Sequence, residues 1–237
     1  MKPVRVPVLT AFATLAIFAA CEKAPPPPPP PPPAPAAPAA LLTPDSAKLN
    51  AAGPDSFVVT FTTSRGPFDV KVYRAWAPHG ADRLYYLTSN GFYDGARFYR
   101  VIEGFMAQFG ANGKPPVDAA WESHRFLDDP VKHSNVRGTL TFATSGKDSR
   151  TTHMFISLVN NARLDASGFS PLGQVTGAGM KAVDSLFAGY GEGAPGGSGP
   201  DQTRITNEGN AYLAKEYPKL DSIVSTKITA EWKKKEK

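Results

Sequence analysis

The stretch FYRVIEGFMAQFG, residues Phe98 to Gly110, places a single arginine, Arg100, in a strand-like run of mostly aromatic and aliphatic side chains. A guanidinium buried among apolar groups costs roughly several kcal/mol unless its donors are used. One interpretation is an edge-strand arginine that lays its stem on the sheet and keeps its head in water. The other is a functional group, and the surrounding sequence has to decide between them.

The sequence around this stretch alternates between apolar and polar residues, as half-buried strands do. Phe57–Phe61 and Phe68–Tyr73 flank a Gly-Pro turn and predict a hairpin. Helices are predicted from Pro78 to about Asn90 and from about Met180 to Phe187. Further short strands are predicted at 96–102, 105–109, 139–143, 154–158 and 172–176. Many short strands with few helices favour a mainly β fold, a closed β-barrel, over an α/β sheet.

The N-terminus has the features of an export signal. Basic residues precede the apolar stretch Val8–Ala20, which is too short to span a bilayer as a permanent helix. The sequence Phe18-Ala19-Ala20-Cys21 resembles a bacterial lipobox, which predicts a lipoprotein signal peptide at 1–20 and lipidation of Cys21. An ordinary secretory signal that leaves Cys21 as a free thiol is the alternative. Since Cys21 is the one cysteine of the chain, an internal disulfide is excluded.

A segment rich in proline and alanine follows Cys21 and includes the unbroken run Pro25–Pro33. Proline fixes φ and lacks an N–H, so this segment is predicted to be an extended polyproline-II spacer within a linker at 21–52. A ligand for proline-binding modules, or a substrate for the protein's own active site, are the alternatives. Residues 53–232 have the size of one domain, and 233–237 form a basic tail.

Two blocks of motifs resemble the cyclophilin peptidyl-prolyl isomerases and follow in that family's order. The resemblance covers about Asp55 to Leu186, and it implies an eight-stranded antiparallel barrel capped by two helices, with 222–232 as a closing strand. The motifs are Tyr93-Asp94-Gly95, Phe98-Tyr99-Arg100-Val101-Ile102, Gly104-Phe105-Met106 with Gln108, Arg137-Gly138-Thr139-Leu140, Phe155-Ile156-Ser157 and Leu164-Asp165.

The resemblance also implies a site. Its catalytic residues are Arg100, Phe105 and Gln108. Its substrate-binding residues are Met106, Ala143, Thr144, Phe155, Leu164 and Phe169. The implied reaction is rotation about an X-Pro bond, with the arginine donating to the prolyl nitrogen. The alternative is a catalytically weak peptide-binding or holdase module that uses the same groove.

Several positions depart from the family's pattern. Tyr99 stands where histidine is usual, Thr144 replaces asparagine and His153 replaces glutamine. Arg163 occupies the place of a tryptophan found in many eukaryotic members, and Phe169 replaces a pocket histidine. None of these changes removes the arginine, but together they predict an altered groove rim.

A long insertion, about 189–220, separates the second predicted helix from the closing strand. Its portion Ile205–Tyr217 is predicted to be helical and to end at Pro218. The match to GxGxxG at 191–196 does not lie between a strand and a helix of a βαβ unit, so it predicts a flexible loop rather than a dinucleotide site.

The remaining sequence features exclude several classes of function. The four histidines have no close metal-ligand spacing and no serine lies in a nucleophile elbow, so no metal, cofactor or hydrolase chemistry is predicted. The net charge of +5 partly reflects the C-terminal lysines and gives no reason to expect nucleic acid. A solvated tail is the default, and attraction to anionic lipids is the alternative.

The expected partners are proline-containing polypeptides of the cell envelope, and the membrane through the lipid anchor. We expect a monomer whose domain lies in the periplasm of a bacterial cell. Glu22 is not the aspartate that commonly retains lipoproteins at the inner membrane, which favours the outer membrane.

Overall fold

Eight strands dominate the computed structural model, which describes residues 38–49 and 51–233. They are β1 (Ser56–Thr63), β2 (Gly66–Tyr73), β3 (Arg100–Ile102), β4 (Met106–Phe109), β5 (Thr139–Phe142), β6 (Met154–Ser157), β7 (Pro171–Val175) and β8 (Ile223–Trp232). The predicted hairpin is formed by β1 and β2, which pair from Ser56 opposite Tyr73 to Thr63 opposite Gly66.

The strands form one curled antiparallel sheet in the order β3, β4, β6, β5, β7, β2, β1, β8. The two outer strands, β3 and β8, lie beside each other at their N-terminal ends. There Arg97 forms a β-bridge with Ser222, and the Phe98 N–H donates to the Asp221 carbonyl at 3.0 Å. The strand β8 pairs with β1, as predicted for a closing strand. The mainly β, eight-stranded antiparallel fold is therefore confirmed.

The core lies on the concave side of this sheet and follows from side-chain alternation. In β1 the apolar residues Phe57, Val59 and Phe61 are fully buried, while the residues between them are not. Strand pairing places buried residues of neighbouring strands opposite each other. One buried row crosses β3, β4, β6 and β5 and consists of Val101, Ala107, Ile156 and Leu140. Removing such a row from water supplies about 25 cal/mol per Å² of apolar surface.

Six helices accompany the sheet in the part of the chain that the structure describes. They are α1 (Ala39–Leu42), α2 (Ser46–Leu49), α3 (Pro78–Ser89), α4 (Pro115–Trp121), α5 (Met180–Asp184) and α6 (Gln202–Glu216). The prediction for α3 is confirmed: proline starts the helix, and Gly91 follows its end at φ +67°. The predicted helix at 180–187 is shorter and ends at Asp184.

The helix α4 was not predicted. It opens with two prolines and has only seven residues, so its sequence lacks a long apolar period. Proline is nevertheless tolerated in the first helical turn, where its missing N–H has no intrahelical partner to lose. The buried side chains of Val117 and Trp121 fix α4 on the core.

Residues 38–49 extend the domain beyond its predicted start at Gly53. Leu41 and Leu49 are buried in the core, and the Trp121 indole N–H donates to the Leu41 carbonyl at 3.0 Å. The end of the predicted linker, 21–52, therefore belongs to the domain, because its two buried leucines supply apolar area that the proline run lacks.

Other N-terminal features lie outside the described residues. These are the predicted signal peptide 1–20, Cys21 and the proline run; most of the basic tail also lies outside. Across residues 38–49 and 51–233, no helix has the length and apolar character needed to cross a membrane.

The predicted insertion contains α6, which packs against α4. The helix is interrupted at Gly209, whose φ of 62° and ψ of −148° are essentially restricted to glycine. This interruption lets the Asn210 N–H donate to the Gly113 carbonyl at 2.8 Å. A second apolar cluster joins the insertion to the sheet and consists of Tyr99, Ala111, Ile205, Tyr212, Leu213 and Leu220.

Candidate active site

Strand register places an arginine, a glutamine and a phenylalanine in one row. Arg100 is opposite Gln108 across β3 and β4, and Gln108 is opposite Phe155 across β4 and β6. Because residues opposite each other in a sheet project to the same side, the three side chains share a face. Each is the sequence neighbour of a core residue, so the alternation that buries the core turns this row outward.

A groove of about 490 Å³ lies over this row. The structure brings all nine residues predicted for catalysis or substrate binding to its lining: Arg100, Phe105, Met106, Gln108, Ala143, Thr144, Phe155, Leu164 and Phe169. Six further residues, which were not predicted to belong to the site, also line it: Ser145, Ser149, Thr151, His153, Glu192 and Gln202.

The apolar part of the groove is a slot between β4, β6 and the turn after β6. The rings of Phe155 and Phe169 meet edge to face, with centroids 5.7 Å apart. Leu164 and Phe169 are presented by a 3₁₀ turn, Ala162–Ser167, in which Asp165 accepts hydrogen bonds from Ser134 and Asn135. The slot is therefore fixed by polar contacts behind it and presents carbon atoms to a ligand.

The guanidinium of Arg100 lies at the edge of this slot. Its Nη1 donates to Oε1 of Gln108 at 2.9 Å and lies 3.9 Å from Sδ of Met106. The centre of the guanidinium is 5.9 Å from the centroid of the Phe105 ring. The side chain is only 21 % exposed, so its head is held in the groove rather than in bulk water, contrary to the edge-strand interpretation.

Arg100 has a second partner, Glu192, that sequence reasoning missed. Nε donates to Oε1 at 2.5 Å and Nη2 donates to Oε2 at 2.6 Å, so the pair is bidentate. Hydrogen bonds from Arg100 hold the pKa of Glu192 below its ordinary value. Glu192 comes from the insertion, and no local pattern relates two residues so far apart. The one feature of the sequence that marks Glu192 is its position as an acidic residue between two glycines.

Two of the departures from the family's pattern contact each other. The Tyr99 hydroxyl lies 2.8 Å from Nδ1 of His153, and burial lowers the pKa of His153 to about 4. The imidazole is therefore neutral near pH 7. Tyr99 is fully buried beneath the insertion, against Ile205 and Tyr212. A large apolar ring with one polar end suits this position, because it fills the junction and still bonds His153.

The rim opposite Arg100 is formed by the chain that leaves β5. The Ala143 N–H donates to the His153 carbonyl at 2.9 Å, which continues the pairing of β5 and β6 by one step. Thr144 then turns the chain, with its hydroxyl 2.9 Å from the Ser149 hydroxyl. Ala143 therefore lines the groove at the point where the chain leaves the strand and enters a polar turn.

Arg163, at the family's tryptophan position, lies on the other side of the slot. Its guanidinium centre is 4.7 Å from the Phe105 ring centroid, within the range of a cation–π contact. Arg163 is not among the residues that line the groove, so it meets the groove through the Phe105 ring.

A curled eight-stranded antiparallel sheet with an arginine beside an apolar slot defines a protein of the cyclophilin class. The model of the family described as cyclophilin type peptidyl-prolyl cis-trans isomerase/CLD matches residues 58–207. This match spans more than half of the chain, and the chain therefore belongs to that family.

Relatives and solved structures agree with this assignment. Peptidyl-prolyl cis-trans isomerase A of Dickeya dadantii is 34% identical over 146 residues, which cover 57% of this chain and 73% of the relative. Peptidyl-prolyl cis-trans isomerase B of Escherichia coli is 28% identical over 181 residues, covering 73% of this chain and 100% of the relative. A cyclophilin type isomerase structure from Cryptosporidium parvum covers 74% of this chain and 99% of its own, with TM-score 0.56 and 17% identity, and so supports the fold.

Proposed function

We propose that this protein accelerates rotation about X-Pro bonds in exported polypeptides, with Arg100 stabilising the twisted amide. The observation that carries the proposal is the position of the Arg100 guanidinium, bonded to Gln108 and set beside the apolar slot. Peptidyl-prolyl isomerisation is the activity named for the relatives, and the residue roles and the substrates are our inference.

The reaction needs a group that favours a twisted amide over a planar one. Rotation about the peptide bond abolishes amide resonance and meets a barrier of about 18–20 kcal/mol. In the twisted state the prolyl nitrogen regains its lone pair and accepts a hydrogen bond. A guanidinium N–H aimed at that nitrogen makes an interaction that the planar ground state lacks, which is the requirement for rate acceleration.

The slot supplies binding and orientation. Phe105, Met106, Phe155 and Leu164 offer carbon surface to the proline ring and displace water that would compete for the arginine's donors. Gln108, which accepts from Arg100, keeps the guanidinium near the substrate and is placed to contact a peptide carbonyl. The backbone beside Ala143 would meet the residue that precedes proline. No covalent bond changes, so positioned donors suffice.

A direct assay of turnover tests the proposal. The purified domain from residue 38 onward, which includes the packed segment 38–49, is mixed with a short Ala-Pro peptide and isomerisation is followed by protease coupling or by NMR exchange. We expect acceleration over the uncatalysed tens to hundreds of seconds. Peptide binding without acceleration would instead support the peptide-binding or holdase alternative.

We also propose that Cys21 carries lipid and tethers the domain to a bacterial envelope membrane, in the periplasm. The support is the Phe18-Ala19-Ala20-Cys21 motif and the proline-rich spacer that follows it. Stable anchoring takes more than one acyl chain or another apolar segment, and removing the acylated thiol should release the protein. The test is fractionation of cells that express Cys21→Ser. A cleaved Cys21→Ser form retained in the membrane would overturn the anchor.

A further inference from the structure

We propose that Glu192 is a positioning residue for Arg100: the insertion supplies a carboxylate that orients the guanidinium toward the slot. This inference rests on the proposed function and assigns a task to the insertion. It is carried by the bidentate pair between Glu192 and Arg100 and by the way the loop around Glu192 is built.

Counting donors shows how the arginine is held. A guanidinium has five N–H groups in a rigid plane. Nε and one Nη2 hydrogen are used by Glu192, and one Nη1 hydrogen is used by Gln108. One hydrogen on each Nη remains, although Nη1 also lies 3.9 Å from Sδ of Met106, a weak acceptor. Because the plane is fixed from two sides, the remaining donors have a defined direction, and a directed donor is what a reaction without covalent chemistry requires.

The carboxylate is itself fixed before a ligand arrives. The Gly193 N–H donates to Oε1 of Glu192 at 2.9 Å, and the Gly199 N–H donates to the Glu192 carbonyl at 2.8 Å. The Tyr217 hydroxyl donates to the Gly199 carbonyl at 3.2 Å, which ties the loop to the chain just after α6. The glycine-rich loop, predicted to be flexible, is therefore a compact, hydrogen-bonded support.

Glycine is required in this loop because the backbone closes tightly around Glu192. A Cβ added at Gly197 or Gly199 would overlap the Glu192 carbonyl oxygen, and one at Gly193 would lie 2.7 Å from the Pro200 carbonyl oxygen. The loop is thus shaped around the residue that contacts Arg100. Of the three glycines in the 191–196 match to a dinucleotide motif, only Gly193 is one of these tight positions.

Loss of the Glu192 carboxylate has opposite effects on turnover under two models of the Glu192–Arg100 pair. If Glu192 orients Arg100, losing the carboxylate lets the long side chain sample other rotamers and slows turnover. If Glu192 competes with the substrate for the same donors, losing it frees the arginine and raises turnover. We commit to the first, because the arrangement leaves two N–H groups without a carboxylate or amide partner and holds the plane at the slot edge.

The test compares Glu192→Gln with Glu208→Gln. Glu208 accepts from Arg204 within the same insertion but does not line the groove, so it is a matched loss of a carboxylate. We expect Glu192→Gln to lower kcat about ten- to a hundredfold, with the Kd of an Ala-Pro peptide changed by less than about twofold. Glu208→Gln should match wild type. An unchanged or raised kcat in Glu192→Gln would overturn the proposal.

A double-mutant cycle separates positioning from structural support. In an Arg100→Ala background, Glu192→Gln should have no further effect on the residual rate, because its effect acts through the arginine. A further loss of the same size in that background would show a merely structural role.

An NMR signal tests the pair without any need for turnover. The Arg100 Nε–H should be protected from exchange in wild type and in Glu208→Gln, and exposed in Glu192→Gln. If wild type is inactive, the proposed function fails while this signal still decides the pairing. Absence of protection in wild type would overturn the positioning role.

Discussion

The two walls of the groove are built in different ways. On the sheet side, Arg100, Gln108 and Phe155 are set by strand register, so short-range alternation fixes their positions. On the insertion side, Glu192 lies in a loop and Gln202 begins α6. Neither position is set by pairing between strands. The comparison shows that the strands of the family's fold set Arg100, Gln108 and Phe155, whereas the insertion adds further groups around Arg100.

The largest expected effect is on the sheet wall. Arg100→Ala, and also Arg100→Lys, should lower kcat roughly 10²–10³-fold, because a preorganised donor to the twisted amide is lost and lysine lacks the planar fork. The Kd of an Ala-Pro peptide should change far less, since the apolar slot remains. Parallel measurements of isomerisation and peptide binding check this. Equal losses of rate and affinity would contradict the assigned role of the arginine.

The next effect concerns the docking of the insertion. Gly209→Ala should lower the free energy of unfolding by about 3 kcal/mol, since an alanine is strained at this φ and its Cβ would overlap the Gly113 backbone. Urea denaturation measures the loss. Gly168→Ala is the control: Gly168 also has positive φ but open space around it, so a loss of about 1 kcal/mol is expected. Equal losses would mean that the contact with Gly113 contributes nothing.

A smaller effect tests whether the backbone shape of the loop around Glu192, rather than its glycine content, holds this carboxylate in place. Gly197→Ala should push the Glu192 backbone away and lower kcat about tenfold, with little change in peptide affinity. Gly196→Ala is matched, because a Cβ there would lie 3.4 Å from the Glu192 side chain, an ordinary contact. Rates of the two variants in the same isomerase assay give the comparison. Full activity in Gly197→Ala would mean that Glu192 needs no fixed backbone.

The smallest expected effect is on the pH dependence of stability, and it involves His153 at the junction of the two walls. Burial lowers the pKa of His153 from 6.5 to about 4, so between these pH values the unfolded chain binds a proton that the folded protein does not. Stability should therefore fall as pH decreases from 6.5 to 4. The contribution is on the order of 1 kcal/mol, because residue His153 as a whole remains partly exposed and solvent reduces the effect of burial.

His153→Gln removes this contribution and keeps an acceptor for the Tyr99 hydroxyl. Urea denaturation at several pH values, for wild type and His153→Gln, measures the difference. Identical pH profiles would mean that His153 binds protons equally in the folded and unfolded states, so that its pKa is not lowered by folding.

Much of the sheet wall was predictable from the sequence, because its information is local. Alternation gave the strands, and a closely spaced motif block gave Arg100, Phe105 and Gln108, which the structure brings to one groove. The helix α4 was missed since its prolines resemble a break, and the packing of Leu41 and Leu49 was missed since two leucines beside a proline run carry no period.

The insertion wall was not predictable for a different physical reason. The helix from about Ile205 was expected and α6 is found, but its interruption at Gly209 depends on a carbonyl of a distant loop. Glu192 reaches Arg100 across 92 residues of chain, through a loop whose shape is set by contacts with itself. Tertiary contacts of this kind leave no periodic trace in a single sequence.

The pairing of β1 has a consequence for how the protein is made. One edge of β1 pairs with β2, which follows it at once, whereas its other edge pairs with β8, the last strand of the sheet. A chain is synthesised from its N-terminus, and contacts between distant segments form slowly because a large loop must close first. Until β8 emerges, β1 keeps an open edge that can capture other strands. The groove is completed in the same order, since Glu192 is synthesised long after Arg100. A chain released before residue 223 would carry Arg100 without β8 to complete the sheet.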